Sequence, residues 1–351
     1  MSRREPCNPD ASRRRIAALA AGVAAADRSA VARALNLLDD KRPSTRPLAL
    51  ALLSALPAPE TMCDAHLVGF TGPPGAGKST LICALLKTWR ARNLSVGVAA
   101  VDPTSPLTGG ALLGDRLRMQ VATHDDGVFI RSLASRHAFG GVADELLPML
   151  AVMLAAFDRV IIETVGVGQR EVDVALIADT TCLVVQPGAG DSVQFLKAGI
   201  MEVPDILVVN KADLGMLADH ARDELKASLG ANDRRAVLMT SATNGAGVPE
   251  LAAALERCHA SLANADAIVA NRRAAQLAWI ERQLLSEFGT HGLAVLGGRA
   301  GVASLVLGAN KSLLAQLGVL RTQLITHFDA VAGALSPRAT LPLSQISRKN
   351  S

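Results

Sequence analysis

From Leu67 onward the chain alternates short apolar runs with longer helical stretches. The runs LVGFTG, SVGVAAVDP, RVIIETVG, TCLVVQPG, ILVVNKAD and AVLMTSA each close on a Gly-, Pro- or Asp-rich turn. Their apolar positions are continuous, not alternating, which fits strands buried on both faces of a mostly parallel sheet flanked by helices. Ahead of them, Ile16 to Ala26 forms an apolar run that continues through Val31, Leu35, Leu37 and Leu38 at helical spacing. Pro43, Pro47, Pro57 and Pro59 then interrupt any continuous helix, because each fixes φ and removes an N–H. This predicts a helical N-terminal extension over 1–62. After residue 260 the strand pattern fades, and Leu277, Ile280, Leu284 and Phe288 fall on one helical face. A helical C-terminal region over 261–351 follows, with no element assigned to the glycine-rich stretch from Gly289 to Gly308 and a polar tail from Ser336.

Composition narrows the class. Half of the 351 residues are hydrophobic, although only 3% are aromatic and none is Tyr, so Ala, Leu and Val must fill the core. Global disorder is excluded on that ground. Lys and Arg number 36 against 32 Asp and Glu, a net charge of +4, too small for an electrostatic nucleic-acid footprint, and no nucleic-acid partner is expected. No apolar run reaches the roughly 18 residues of a membrane span, so no membrane partner is expected either. Arg13, Arg14 and Arg15 ahead of the first apolar run have the order of a signal peptide, but Gly22 within it and Glu5 and Asp10 before it favour a basic terminus leading into helices. Five dispersed cysteines without a Cys-x-x-Cys pair suit reduced core residues of a cytoplasmic protein. The seven histidines show no ligand spacing, and no Gly-x-Ser-x-Gly elbow is present.

The chemistry is concentrated in 63–260. Gly72-Pro73-Pro74-Gly75-Ala76-Gly77-Lys78-Ser79-Thr80 follows an apolar strand and opens a helical run, the pattern of a phosphate-binding loop. Small residues let backbone N–H groups wrap phosphate oxygens, Lys78 reaches the β/γ oxygens, and the Ser79 hydroxyl can ligate Mg2+. Asn210-Lys211-Ala212-Asp213 also follows an apolar strand, and its Asp213 carboxylate can accept from the N1–H and amine of guanine. Ser241-Ala242-Thr243 can present backbone N–H groups to the guanine O6, so GTP is the nucleotide expected. Asp102 and Glu163 close strands at the sheet edge where a nucleotide lies in such folds, and they are candidate Mg2+ ligands, the alternative being loop caps. Asp115 is a further candidate ligand, the alternative being a surface salt bridge. Gly166, in Glu163-Thr164-Val165-Gly166, is placed to sense the γ-phosphate by its N–H, and Gln169 to orient the switch during hydrolysis.

Several longer stretches make the chain resemble the MeaB/ArgK-like G proteins, the family of the methylmalonic aciduria type A protein. They are GPPGAGKST, VDPTSPLTGGALLGDRLRM, FIRSLASRHAFGGVADE, VIIETVGVGQREVDVA, QPGAGDSVQFLKAGIMEVPDILVVNKAD and TSATNGAGVPEL, within about residues 20 to 260. The resemblance implies an α/β P-loop G domain of the class that includes signal-recognition GTPases and metallochaperones, over 63–260. It also implies a homodimer, with 261–351 as the arm, and a GTP-hydrolysing chaperone that gates cofactor loading and protects an adenosylcobalamin-dependent acyl-CoA mutase, methylmalonyl-CoA mutase in the first place. By position Asp102, Asp115 and Glu163 match the family's magnesium and switch acids, and Asp191 and Lys197 match its partner-coupling third loop. Arg170 stands where the family usually has a small Ser, and Ala198 replaces a second basic residue. Two other functions compete: a metal-delivery GTPase, which should carry a Cys or His cluster near the switches, and a nucleotide-dependent kinase of a transport protein, against which the guanine motif argues.

Overall fold

The computed structural model describes residues 9–40, 42–103, 125–135, 146–164, 174–188, 204–229, 233, 235–264, 266–307 and 313–335. Three helices lead: α1 (Pro9–Ala24), α2 (Arg28–Asp39) and α3 (Arg46–Ala55), followed by a short 3-10 turn at Pro59–Thr61. The single amphipathic run expected across α1 and α2 is broken, because Ala26 takes a positive φ of 55° and the Asp27 carboxylate caps α2 by accepting from Ala30 N at 2.6 Å.

The sheet then alternates with helices: β1 (His66–Thr71), α4 (Lys78–Arg90), β2 (Val96–Pro103), β3 (Val128–Ser135), α5 (Leu146–Leu154), β4 (Arg159–Thr164), β5 (Thr180–Val185), β6 (Ile206–Val209), α6 (Met216–Ser228), β7 (Ala236–Met239) and α7 (Val248–Asn264). All pairings among the described strands are parallel, in the order β3-β2-β4-β1-β5-β6-β7. The six runs marked in the sequence are all strands. A seventh strand, β3, has no such run, since Arg131 and Ser132 interrupt its apolar residues, as a sheet edge tolerates.

Side-chain alternation along these strands feeds three clusters, one of them Leu183, Val185, Leu207 and Val209 against Ala218 and Leu225 of α6. On one face Leu67, Val160 and Ile162 pack with α2, α3 and α5, so the N-terminal helices complete a face of the sheet. On the other, Val68, Phe70, Ile161, Cys182, Val184 and Val208 meet α4 and α7, including the fully buried Trp89. Beyond it come α8 (Ala267–Val295), α9 (Gly298–Leu307) and α10 (Leu313–Leu335). They enclose a separate cluster that includes Ile280, Leu284, Leu317 and Leu324. In the glycine-rich stretch, α8 kinks at Gly289, where φ is 65°, and runs on to Val295, and α9 covers Gly298–Leu307, while Gly308 lies outside the described residues.

One buried arginine fastens α8 to the opening ends of the strands. Arg272 donates to Asp179 Oδ1 at 2.9 Å and Oδ2 at 2.5 Å, and to the carbonyls of Pro59 (2.8 Å), Met62 (2.9 Å) and Ala65 (2.6 Å). Five contacts match the five N–H donors of a guanidinium. Asp179 Oδ2 also accepts from Leu67 N at 2.8 Å. Beside this point the rings of His66 and His259 stack at 4.5 Å. His66 Nε2 lies 2.8 Å from Thr180 Oγ1, and His259 Nε2 lies 2.9 Å from the Cys63 carbonyl. Burial, first of all causes, pushes both imidazoles below their ordinary pKa, His66 well below.

Candidate functional site

The closing ends of the parallel strands share one edge, and in open α/β sheets that edge holds the ligand where the strand order reverses. Here the reversal falls at β1, with β4 on one side and β5 on the other. The β1–α4 turn, Gly72 to Gly77, leaves this edge. Gly72, Gly75 and Gly77 take positive φ of 137°, 80° and 85°. Gly72 also admits close packing, since a Cβ there would lie 2.0 Å from the Val184 carbonyl oxygen. Pro73 and Ala76 are buried while Pro74 and Gly75 are exposed, so the loop presents its crest.

Lys78 and Ser79 begin α4, and both are buried. The Lys78 ammonium donates to the carbonyls of Gly72 (2.6 Å) and Pro73 (3.0 Å), folded over the loop that precedes it. Ser79 donates its hydroxyl to Glu163 Oε1 at 2.5 Å. Glu163 is buried near the end of β4, in register with Phe70 of β1 and Ala100 of β2. A hydroxyl and a carboxylate in contact at a helix start form a hard-oxygen pair of the kind Mg2+ takes, so the residues present fit that ion. Thr80 is exposed on the first turn of α4.

The second half of the site hangs from β6 and β7. Asn210 is buried, and its Nδ2 donates to the carbonyls of Ala76 (2.9 Å) and Gly77 (3.4 Å). Its Oδ1 accepts from Thr240 Oγ1 (3.2 Å) and Ala242 N (3.3 Å). One amide therefore ties the β1–α4 loop to the turn after β7. Lys211 adopts a left-handed backbone (φ 61°), and its ammonium donates to Gln186 Oε1. Asp213 accepts from Ser241 Oγ at 2.5 Å, and Ser241 Oγ lies 2.9 Å from Thr243 Oγ1. The Ser241 hydroxyl, then backbone N–H, hold the Asp213 carboxyl below its ordinary pKa, which keeps it an acceptor.

The structure thus brings Gly72 to Thr80, Glu163, Asn210, Lys211, Asp213 and Ser241 to Thr243 to one edge. Asp102 closes β2, where the register sets it opposite Ala134. Asp115, Gly166, Gln169, Asp191 and Lys197 lie outside the described residues, as do Arg170 and Ala198. Gln186, directly after β5, belongs to none of the nucleotide motifs. Its signal was its place directly after an apolar strand, in the turn Gln186-Pro187-Gly188 beside the loop.

Residues 31–293 match the family model described as methylmalonyl Co-A mutase-associated GTPase MeaB. A protein of Pyrococcus horikoshii named as a GTPase is 51% identical over 197 residues, 54% of this chain and 62% of its own length, so the chain spans less than two thirds of that relative. The mitochondrial methylmalonic aciduria type A homolog of Mus musculus is 30% identical over 303 residues, covering 80% of this chain and 73% of its own. Among solved structures, one described as LAO/AO transport system kinase superposes with a TM-score of 0.65 at 25% identity, over 93% of this chain and all of the other. Among the described residues no helix is long and apolar enough to cross a membrane.

Proposed function

The chain belongs to the MeaB family, and from that premise we propose that it is a GTPase that regulates a cobalamin-dependent acyl-CoA mutase. The observation that carries the nucleotide reading is the Asn210 amide, which holds the phosphate loop and the Asp213–Ser241 pair in one frame. GTP fits that frame: backbone N–H groups of the loop and the start of α4 surround the phosphates, and Asp213 accepts from the guanine edge, where adenine has no matching pair of donors.

Hydrolysis by this site is transfer of the γ-phosphoryl to water, which breaks the bond to the β-phosphate oxygen and releases GDP and phosphate. Lys78 leaves the Gly72 and Pro73 carbonyls for the β/γ oxygens, where its charge is worth most as negative charge builds on the leaving oxygen. Ser79 and Glu163, with Asp102 near the end of β2, would hold Mg2+, which would supply neutralisation of the phosphate charge. Gln169 and the Gly166 N–H are the proposed switch elements, and Asp191 and Lys197 the proposed route to the partner. The client is an adenosylcobalamin-dependent mutase, methylmalonyl-CoA mutase first because the family description names it. The active form is a cytoplasmic homodimer.

Hydrolysis of GTP and of ATP is measured with and without methylmalonyl-CoA mutase, and with Lys78→Ala as the control. The expected outcome is GTP-selective turnover that the mutase accelerates and Lys78→Ala nearly abolishes. Equal turnover of ATP would reject the guanine reading, and a GTP rate unchanged by methylmalonyl-CoA mutase would reject that partner.

A further inference from the structure

A second concave site lies away from the nucleotide loops and shares no residue with them. It encloses about 340 Å³ between the end of α2, the turn after it, α3, the start of α5, α8 and α10. That volume is at the lower end of small-molecule sites. Its apolar lining includes Leu38, Leu50, Leu53, Trp279 and Leu317. Arg42, Arg46 and Arg321 line the same space. Asp40 pairs with Arg42, while Glu287 pairs with both Arg46 (3.3 Å) and Arg321. Three guanidiniums against two carboxylates leave one positive charge in excess.

Gln283 supplies an independent observation. It lines the cavity, and its Nε2 is buried with no hydrogen-bond partner among the described residues. Its Oε1 accepts from Arg321 at 3.5 Å, and the buried donor costs free energy that a rotation of the Gln283 side chain toward an acceptor held in the cavity would recover. The apolar lining residues would take a hydrocarbon body, while the arginines and the Gln283 amide would take an anionic oxygen.

We infer that this cavity is a binding site for a small amphipathic organic anion, a carboxylate carried on an apolar chain. Leu38, Arg42 and Arg46 precede the sheet in sequence, whereas Trp279, Gln283, Leu317 and Arg321 follow it. A bound anion therefore bridges the two helical ends of the chain, and occupancy stabilises the folded state as ligand rises above its dissociation constant.

The probe is octanoate, with octanol as the same chain without charge and acetate as the head group alone. The readouts are tryptophan fluorescence and melting temperature. Of the two tryptophans, Trp89 is fully buried in the sheet core and Trp279 lines the cavity, so a saturable fluorescence change reports Trp279. Octanoate is expected to saturate and raise the melting temperature, and octanol and acetate to bind about tenfold more weakly or worse. Gln283→Leu, which removes the donor, and Ala49→Phe, which fills the space, should each weaken octanoate about tenfold while the circular dichroism spectrum stays that of the wild type. The inference is overturned by the absence of a saturable octanoate response, by equal binding of octanol, or by wild-type octanoate affinity in either folded variant.

Discussion

Replacing Arg272 by methionine keeps an unbranched apolar stem, shorter than that of arginine, and removes all five of its hydrogen bonds. Asp179 is then left as a buried carboxylate whose remaining partner is Leu67 N. Removing one member of a buried ion pair costs about 3–5 kcal/mol. The Pro59 and Met62 carbonyls keep backbone donors, from Met62 N at 3.3 Å and Ala65 N at 3.2 Å, so little is added for them. The Ala65 carbonyl loses its contact to the guanidinium, for about 1 kcal/mol more. The expected loss is about 4–6 kcal/mol, a large share of the 5–15 kcal/mol typical of a folded domain. Urea unfolding followed by circular dichroism should show the midpoint fall by roughly 1 M or more, given slopes of about 1–3 kcal/mol per M. The companion variant Arg272→Met with Asp179→Asn removes the stranded charge while retaining an acceptor for Leu67 N, and should recover about half of the loss by the same reasoning. Nucleotide affinity should hold, because the pair sits where β1 and β5 begin and the loops leave where they end. A midpoint within about 0.3 M of wild type for Arg272→Met would refute the clasp, and so would a double variant less stable than the single one.

Three further outcomes can be checked directly. Gly77→Ala places a Cβ 2.5 Å from Asn210 Nδ2 at a φ of 85°, so it should cost about 2–3 kcal/mol and weaken GTP binding by more than tenfold in a nucleotide titration. Asp213→Asn should shift preference from GTP toward XTP, because Ser241 can still donate to Oδ1 while the new amide donates to the xanthine carbonyl; an unchanged GTP preference in competition binding would place guanine recognition elsewhere. Stability should fall as pH drops below 6.5, where the unfolded chain protonates histidines whose charged form the fold disfavours at positions 66 and 259, with a slope of at most about 1.4 kcal/mol per pH unit for each. His259→Gln retains a donor for the Cys63 carbonyl and should flatten that slope, whereas identical slopes would show that other groups set it.

The parts of the fold legible in the chain were those set by local pattern. Strands buried on both faces announce themselves as unbroken apolar runs, and β1, β4 and β5 are buried at every position. β3 is covered less completely, with Ile130, Arg131 and Ser132 only partly buried, and its run was broken accordingly. The division between α1 and α2 carried a readable mark, an Asp three residues before Ala30 at the head of a periodic stretch, which the continuity of the apolar pattern concealed. Long-range partners had no such mark. Arg272 sits in a helix among other polar residues and reads as a solvated charge until the fold supplies Asp179, 93 positions away. The His66–His259 stack is equally invisible, because a spacing rule finds ligands on one element and these rings come from two. In the candidate site, residue types suggest the chemistry proposed for Lys78, Asn210 and Asp213, but the role of the Asn210 side chain as a strut, and the seat of Lys211 on Gln186, arise only from the way β5, β6 and β7 end side by side.

That strut bears on how the parts of a nucleotide would add up. A site made of independent pockets for phosphate and base would bind inorganic triphosphate and guanosine with free energies unrelated to each other. Here the same amide touches Ala76 and Gly77 on one side and Thr240 and Ala242 on the other, so a shift of either loop moves the other's anchor. Fragments should therefore bind cooperatively, each strengthening the other without a covalent link between them. The reach of one side chain also sets a tolerance: insertions are admissible behind these loops, while any change that separates residue 77 from residue 210 divides the pocket into two weaker ones.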